Sequence, residues 1–523
     1  MKILITDPIS DNGKQLLKES GLDVLDFGNA DNSEYSIQIK DADGWIIRSG
    51  TKITSEFLEM AVNLKVIGRA GVGVDNIDIP AATFHGVLVM NTPAVNTISA
   101  AEHTIALILA LARNVHKGYT SLSQGNWDRN KLVGSELKGK KVGIVGLGKI
   151  GSEVIKRLHS FGMEILGYDP YIQKDHYEYD FVEFMEFDDL CKNADIISIH
   201  IPKTEQTDGI FNTEKLKLMK STALLINCSR GGIIVEKDLV KALNDGLIAG
   251  AAIDVFTQEP PTDTDLISAK NLLYTPHLGA STFEAKEGVS TSICEQMRDF
   301  LLNGKIENAL NIPISDFALL QMMEPYLNLA DKLGKLHYQL SKGPAKTIKI
   351  ETLGSLKEVN LITLSFLKGF LENIHGSTVN FVNAIKVAET HGIEIQETYK
   401  HGEKNYSNLI STSVINGDKS LEIRASLFSD QHPRIVYFDG YHFDLNPKGT
   451  LLLIYNNDVP GVVGKVGAFL GEHKINIASY HLSRKNKSDI AFGVVQLDSM
   501  LDESAMNQLT NVNEIQSVFQ VNL

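Results

Sequence analysis

The chain has 523 residues, with 50 Lys+Arg against 64 Asp+Glu and a formal net charge of -14. That length exceeds what one core supports and implies roughly three or four domains of ~100–200 residues. So acidic a surface repels nucleic acid and makes any anionic ligand depend on a local basic patch.

Three cysteines, Cys191, Cys228 and Cys294, lie far apart. They make no CxxC pair and no metal-like spacing with histidine, so neither a disulfide framework nor a metal site is expected. The opening apolar run is too short for a signal peptide, and residues 105–112 are too few to span a bilayer. A cytoplasmic protein without a membrane or nucleic-acid partner is the expectation.

In chain order, residues 2–6, 44–47, 65–68 and 87–91 read as short buried strands between helical stretches. That alternation predicts βαβ units and a parallel sheet. Ser99 and Glu102 have capping-box spacing ahead of Ile105, Leu109 and Ala112, which predicts a long helix. Six more strands follow, at 141–145, 164–168, 196–200, 223–227, 251–255 and 272–275, the number a complete dinucleotide-binding sheet needs. The amphipathic stretch 283–302 predicts a helix returning to the first region, which would make the N-terminal unit discontinuous.

The pattern changes after Ile312-Pro313. Residues 315–446 mix helices and strands without a glycine-rich loop, Pro447-Lys448-Gly449 reads as a linker, and 450–523 reads as βαββαβ, a ferredoxin-like order. The expected fold class is α/β. It comprises a Rossmann-type doubly wound sheet (98–283), a flavodoxin-like split substrate domain (1–97 with 284–314), an α+β intervening domain (315–446) and a ferredoxin-like module (450–523).

The strand at 141–145 runs into Gly146-Leu-Gly148-Lys-Ile-Gly151 and then a helix. Gly146 suits the tight turn, Gly148 a close backbone approach to a pyrophosphate, and Gly151 the packing of helix on strand. The helix N-terminus offers free N–H groups to phosphates. The following strand ends at Asp169, about 20 residues on, where a carboxylate accepts ribose hydroxyls and repels a 2′-phosphate; NAD is therefore expected. The plainer alternative makes the glycines punctuation and Asp169-Pro170 a turn.

Three later strands end in polar residues: Arg230, Glu259 and His277. Ligands of open α/β sheets bind at the carboxyl ends of strands, so these three could converge. Oxidising a secondary alcohol needs a base titrating near neutrality, which suits His277. A carboxylate such as Glu259 stabilises the protonated ring and orients it, and Arg230 can hold a substrate carboxylate. Taken singly, each has a duller reading, as a structural histidine, a loop charge and a capping charge.

The blocks GLGKIG, NCSRGG, DVFTQEP and PHLGAST resemble the D-isomer-specific 2-hydroxyacid dehydrogenases. Within that family, residues 48–54, 68–83 and 91–104 are most similar to the members that oxidise 3-phosphoglycerate. The likeness is dense over 1–313. It implies that Arg230, Glu259 and His277 are catalytic. It also implies cofactor contacts from Gly146, Gly148, Lys149, Ile150, Gly151, Asp169, Cys228, Arg230, Asp254, His277, Gly279 and Ala280. Arg48, Arg69 and Asn96 become candidates for the substrate anion.

Residues 450–523 resemble an ACT domain, an amino-acid-sensing module. That likeness makes Asp458 and Asn476 candidates for gripping an L-serine effector; the alternative is a helix cap and a turn residue. Residues 315–446 resemble the extra domain of the long members of the family. The expectation is an NAD-dependent step of serine biosynthesis in a homodimer or homotetramer. The competing readings are a reductase of glyoxylate or 2-oxoglutarate and a NAD-sensing, corepressor-like interaction protein. Turnover of a 2-hydroxy acid separates the enzymes from the last.

Overall fold

Four short, mostly buried and mostly apolar runs and one half-exposed run set the N-terminal sheet. In the computed structural model, which describes residues 1–28, 36–312, 317–341, 345–375, 378–401, 406–429, 431–485 and 490–523, these runs are β1 (Lys2–Ile5), β2 (Asp23–Asp26), β3 (Gly44–Ile47), β4 (Val66–Arg69) and β5 (Leu88–Met90). All pair in parallel, in the order β2-β1-β3-β4-β5. β2 was not read from the sequence. It is an edge strand with an exposed aspartate at each end, so it carries no apolar run.

The second sheet has seven parallel strands rather than six: β6 (Lys141–Val145), β7 (Glu164–Tyr168), β8 (Val182–Phe184), β9 (Ile196–Ile199), β10 (Leu224–Asn227), β11 (Gly250–Ile253) and β12 (Leu272–Tyr274). Their order is β12-β11-β10-β9-β6-β7-β8. The addition, β8, is a three-residue edge strand. The chain runs outward from β6 to β8 and then crosses back to β9, so the strand order reverses between β6 and β9. A crevice opens at such a switch point, at the carboxyl ends of the strands.

The helix Thr97–Ala112 starts two residues before the capping box read at Ser99, with Asn96 as its N-cap. Ser99 is not a cap; its hydroxyl lies 2.8 Å from that of Thr282 and ties this helix to the next long one. That helix, Phe283–Asn303, buries Ile293, Met297 and Leu301 in one cluster with Ile3, Ile5, Val66 and Leu88 of the first sheet. Thr282 caps it by accepting the amide of Ala285, and Gly304 ends it in the left-handed region at φ 69°.

The boundary read at 314/315, with Pro313, lies outside the described residues. Beyond it, β13 (Thr347–Gly354), β14 (Glu394–Lys400), β15 (Asn408–Asn416), β16 (Lys419–Phe428), β17 (His432–Phe438) and β18 (Tyr441–Leu445) form a mixed sheet ordered β14-β13-β15-β16-β17-β18. The helices Phe317–Leu340 and Val359–His375 cover it. They cross where each has a glycine: a Cβ on Gly334 would run into the Phe366 carbonyl, and one on Gly369 into that of Asp331. A loop stitched by Asn380 and Asn383 reaches the first sheet, and Asn380 Nδ2 donates to the carbonyl of Gly86 at 2.8 Å. Gly86 has φ 72°, and a side chain there would meet both asparagines.

The C-terminal strands β19 (Thr450–Asn457), β20 (Ile477–Arg484), β21 (Ile490–Leu497) and β22 (Ile515–Asn522) form an antiparallel sheet ordered β20-β21-β19-β22. Helices Val462–Glu472 and Glu503–Thr510 complete the βαββαβ order. Among the described residues no single helix is long and apolar enough to cross a membrane.

The glycine crossing gives a stability test. Gly334→Ala should destabilise the unit around β13–β18 by about 1–3 kcal/mol through overpacking. Urea unfolding followed by far-UV CD should show an earlier midpoint, while an alanine at Gly392, whose Cβ would meet nothing within 4 Å, should show a smaller effect from its positive φ alone.

Candidate active site

The fingerprint glycines sit where their conformations require them. Gly146 ends β6 with φ 98°, and a Cβ there would press on the His200 carbonyl beyond β9. A Cβ on Gly151 would run into the Gly146 carbonyl, so no other residue permits this helix to start so close to the strand. Gly148 is the N-cap of the helix Lys149–Ser160, and the space beside it is open. That space, at the positive end of a helix whose first amides have no intrahelical partner, fits a pyrophosphate. Lys149 is exposed and Ile150 half-buried in the first turn. Asp169 follows β7, and its carboxylate accepts the amides of Leu147 (3.0 Å) and Tyr171 (2.9 Å), which fixes it beside the glycine turn.

A second cleft, of about 370 Å³, opens between the two parallel sheets. It is lined by Arg48, Arg69, Asn96, Arg230, Glu259 and His277, the residues proposed from sequence for catalysis and substrate. His277 Nδ1 lies 2.8 Å from Glu259 Oε2. A carboxylate only accepts, so the proton sits on Nδ1 and Nε2 keeps a lone pair for a substrate proton. The other oxygen of Glu259 accepts the Phe256 amide at 3.1 Å, which fixes the carboxylate. The hydrogen bond and charge of Glu259 raise the His277 pKa, outweighing the burial that lowers it. Burial pushes Glu259 up, but the hydrogen bond and charge of His277 together with the Phe256 amide outweigh it, and the net shift is down.

Arg230 stands at the turn after β10. Asn227 shapes that turn: its oxygen accepts the amide and hydroxyl of Ser229, and its Nδ2 donates to the Arg230 carbonyl at 2.9 Å. The guanidinium donates to the Ser229 carbonyl (2.7 Å) and pairs with Asp75 at 3.3 Å. Arg69, from β4, faces the same space. Burial, then the charges of Arg230 and Arg48, bring its pKa down to about 10. It stays charged at neutral pH, and the crowding of three cations calls for an anion. Arg69 Nε and Asn96 Oδ1 are buried without a hydrogen-bond partner among the described residues, a state that costs each about 1–3 kcal/mol until a ligand supplies one. Arg48 is positioned by its own amide, which donates to Asp7 at 2.6 Å.

The remaining cofactor candidates divide. Gly279 and Ala280 lie in the loop after β12, and Ala280 lines the cleft. The Cys228 thiol is pushed up to about 12 by burial, so it stays protonated and packs rather than reacts. Asp254 is fully buried, and its oxygens accept Thr275 Oγ1, the Leu278 amide and the Gly279 amide. In this structure it supports the loop instead of facing the cleft. Lys286 and Asp75 also line the cleft and were not singled out from the sequence.

The two effector candidates are not brought together. Asp458 follows β19 and pairs with Arg484 at 3.2 Å, whereas Asn476 precedes β20 and donates to Asp498 at 2.8 Å. β19 and β20 both run antiparallel to β21. The two residues therefore sit at opposite ends of the sheet, about 25 Å apart at a strand rise of ~3.3 Å per residue. No single small ligand touches both within one chain. The cap alternative fails too, since the N-cap of the following helix is Gly461.

Residues 105–279 match the model of the NAD binding domain of D-isomer specific 2-hydroxyacid dehydrogenases, and residues 322–439 match that of the D-3-phosphoglycerate dehydrogenase intervening domain. Solved structures with the same fold include the NAD-dependent formate dehydrogenase of Staphylococcus aureus in complex with NAD, with 29% identity and a TM-score of 0.53 over 59% of this chain and 99% of that one. The D-lactate dehydrogenase of Escherichia coli matches at 26% identity and a TM-score of 0.53, over 59% and 100%. Fold and cleft thus define an NAD-binding D-isomer-specific 2-hydroxyacid dehydrogenase. D-3-phosphoglycerate dehydrogenases of Methanocaldococcus jannaschii and Bacillus subtilis are 40% and 39% identical, each across 100% of this chain and 100% and 99% of their own. The chain belongs to the D-3-phosphoglycerate dehydrogenase family.

The His277–Glu259 pair predicts a pH effect. Glu259 favours the imidazolium, so its loss lowers the His277 pKa and leaves the base neutral at lower pH. In Glu259→Gln the acidic limb of the kcat/KM profile for alcohol oxidation should move to lower pH while kcat falls for want of orientation. An unmoved limb would assign that limb to another group.

Proposed function

We propose that the chain oxidises 3-phosphoglycerate to 3-phosphooxypyruvate with NAD, the first step of L-serine biosynthesis. The observation that carries this reading is a single cleft holding the His277–Glu259 pair beside three arginines on a chain of net charge -14. Cations are concentrated where a substrate bearing a carboxylate and a phosphate would lie. The Gly146–Gly151 turn would hold NAD, which would supply the acceptor for the hydride leaving the substrate C2–H bond.

His277 Nε2 takes the C2 hydroxyl proton as the carbon–oxygen double bond forms, and the charge so gained is stabilised by Glu259. Arg230 holds the substrate carboxylate and the oxygen that becomes the carbonyl through charge-assisted hydrogen bonds. Arg69 and Arg48 donate to the phosphate, filling the unpaired Arg69 Nε, and Asn96 donates its Nδ2 to the same anion. Asp169 selects NAD over NADP. In this reading the substrate domain is formed by 1–97 and 284–314 and the cofactor domain by 98–283, followed by 315–446 and 450–523.

L-serine inhibition through residues 450–523 extends the proposal. A homo-oligomer fits the segment 115–133, where Tyr119, Leu122, Trp127 and Val133 are 60% or more exposed, since large exposed apolar side chains on a soluble enzyme mark an interface. A reducing cytoplasm suits three free cysteines.

A panel of 2-hydroxy acids assayed for NADH formation with and without L-serine tests the substrate. 3-Phosphoglycerate should give the highest kcat/KM; a higher value for an unphosphorylated acid would overturn the choice. His277→Ala should lower kcat by roughly 10²–10⁴-fold while NAD affinity, followed by tryptophan or ligand fluorescence, holds. Removal of 450–523 should abolish serine inhibition, and inhibition that survives places the effector elsewhere.

A further inference from the structure

Asp254 is the best-satisfied carboxylate near the cleft, and one of its partners comes from a distant element. It follows β11, is fully buried, and accepts Thr275 Oγ1 at 2.5 Å, the Leu278 amide at 2.7 Å and the Gly279 amide at 2.8 Å. These donors all belong to the segment after β12 that carries His277. The fourth partner is His103, on the helix Thr97–Ala112, whose Nε2 stands 3.2 Å from Asp254 Oδ1 and 3.2 Å from Thr275 Oγ1. The His103 side chain is only 18% exposed. A carboxylate demands a donor there, so Nε2 carries the proton. Burial would raise the Asp254 pKa, but the bonds from His103, Thr275 and Leu278 prevail and hold it down, so the anion persists.

The segment needs such an anchor. His277 has φ 55°, a left-handed conformation that a non-glycine residue adopts only when its surroundings enforce it. Its own amide donates to the Thr275 carbonyl at 2.9 Å, a tight local turn, and the next two amides end on Asp254. Removing a donor from a fully buried anion leaves it short of a partner and loosens every group it gathers.

We propose that His103 is a positioning residue for the catalytic base: by directing Nε2–H at Thr275 Oγ1 and Asp254 it fixes the hydroxyl and carboxylate that pin residues 275–279, and so keeps His277 against Glu259. This rests on the reading of His277 as the base. His103 is not among the residues that line the cleft and acts through Asp254 and Thr275. It links the helix that joins the two parallel sheets to the loop that does the chemistry.

The experiment compares His103→Leu, which removes the donor, with His103→Gln, which restores one, in the full-length chain. Three readouts are taken: steady-state kinetics, thermal unfolding, and the pH titration of the His277 ring by NMR of histidine-labelled protein. Glu259, Asp254 and Arg230 are the charged groups acting on that ring. In His103→Leu, kcat should fall by roughly tenfold or more, as expected for a misplaced base, with the substrate KM changed less than threefold. The His277 titration should move down toward that of a free imidazole. His103→Gln should recover both to within threefold of the parent.

A leucine variant that melts earlier but keeps its kcat and an unmoved His277 titration would show a structural role only and overturn the proposal. So would a glutamine variant that folds yet behaves like the leucine one. The NMR titration needs no turnover. Failure of the parent on 3-phosphoglycerate would therefore count against the substrate assignment, while an unmoved His277 in His103→Leu would count against this one.

Discussion

The bond between His277 Nδ1 and Glu259 Oε2 joins two loops that leave neighbouring strands of one sheet, β11 and β12. It depends on the parallel arrangement, because only parallel neighbours deliver the ends of successive strands to the same edge. From it follow the free Nε2 lone pair, the raised pKa of the imidazole and the direction from which an alcohol must approach. The strained φ of His277 and the fixed carboxylate of Glu259 are local means to keep that one contact. Asp254 and the Asn227 turn under Arg230 do the same work for the neighbouring loops.

The electrostatics of the cleft run against those of the chain. Acidic residues dominate the whole, yet Arg48, Arg69 and Arg230 face one space, and burial together with the charges of the other two lowers the Arg69 pKa. Asp75 offsets part of that repulsion by pairing with Arg230. Because Asp75 is largely exposed, the pair is screened and yields readily to a better anion. An acidic exterior around a cationic cleft also repels anions that do not reach the cleft, which favours selectivity over general capture.

Much of this was legible beforehand, for identifiable reasons. The glycine fingerprint could be read because its requirements are local: a positive φ at Gly146 and no room for a Cβ at Gly151. Arg230, Glu259 and His277 could be read because each lies in the loop that follows a strand of one sheet. The edge strands β2 and β8 escaped notice since edges need no apolar run. Ser99 was misread because a capping-box spacing is short and common, whereas its hydroxyl meets Thr282, 183 positions away. Asp75, His103 and Lys286 gain meaning only through tertiary proximity, and nothing in their immediate neighbours signals it. Asp458 and Asn476 were paired through the resemblance of 450–523 to an ACT domain; the order of strands in the sheet puts the two on opposite rims.

The Asn380–Gly86 contact is small beside the apolar burial around it, at about 1 kcal/mol for one hydrogen bond. Its worth is directional. Apolar surfaces slide over one another at little cost, whereas an amide aimed at one carbonyl, over a residue with no side chain, tolerates a single alignment. The two halves of the molecule are therefore indexed like a shaft on a key. Because Gly86 leads into β5, which neighbours the strand bearing Arg69, the key sits one strand away from a wall of the cationic cleft.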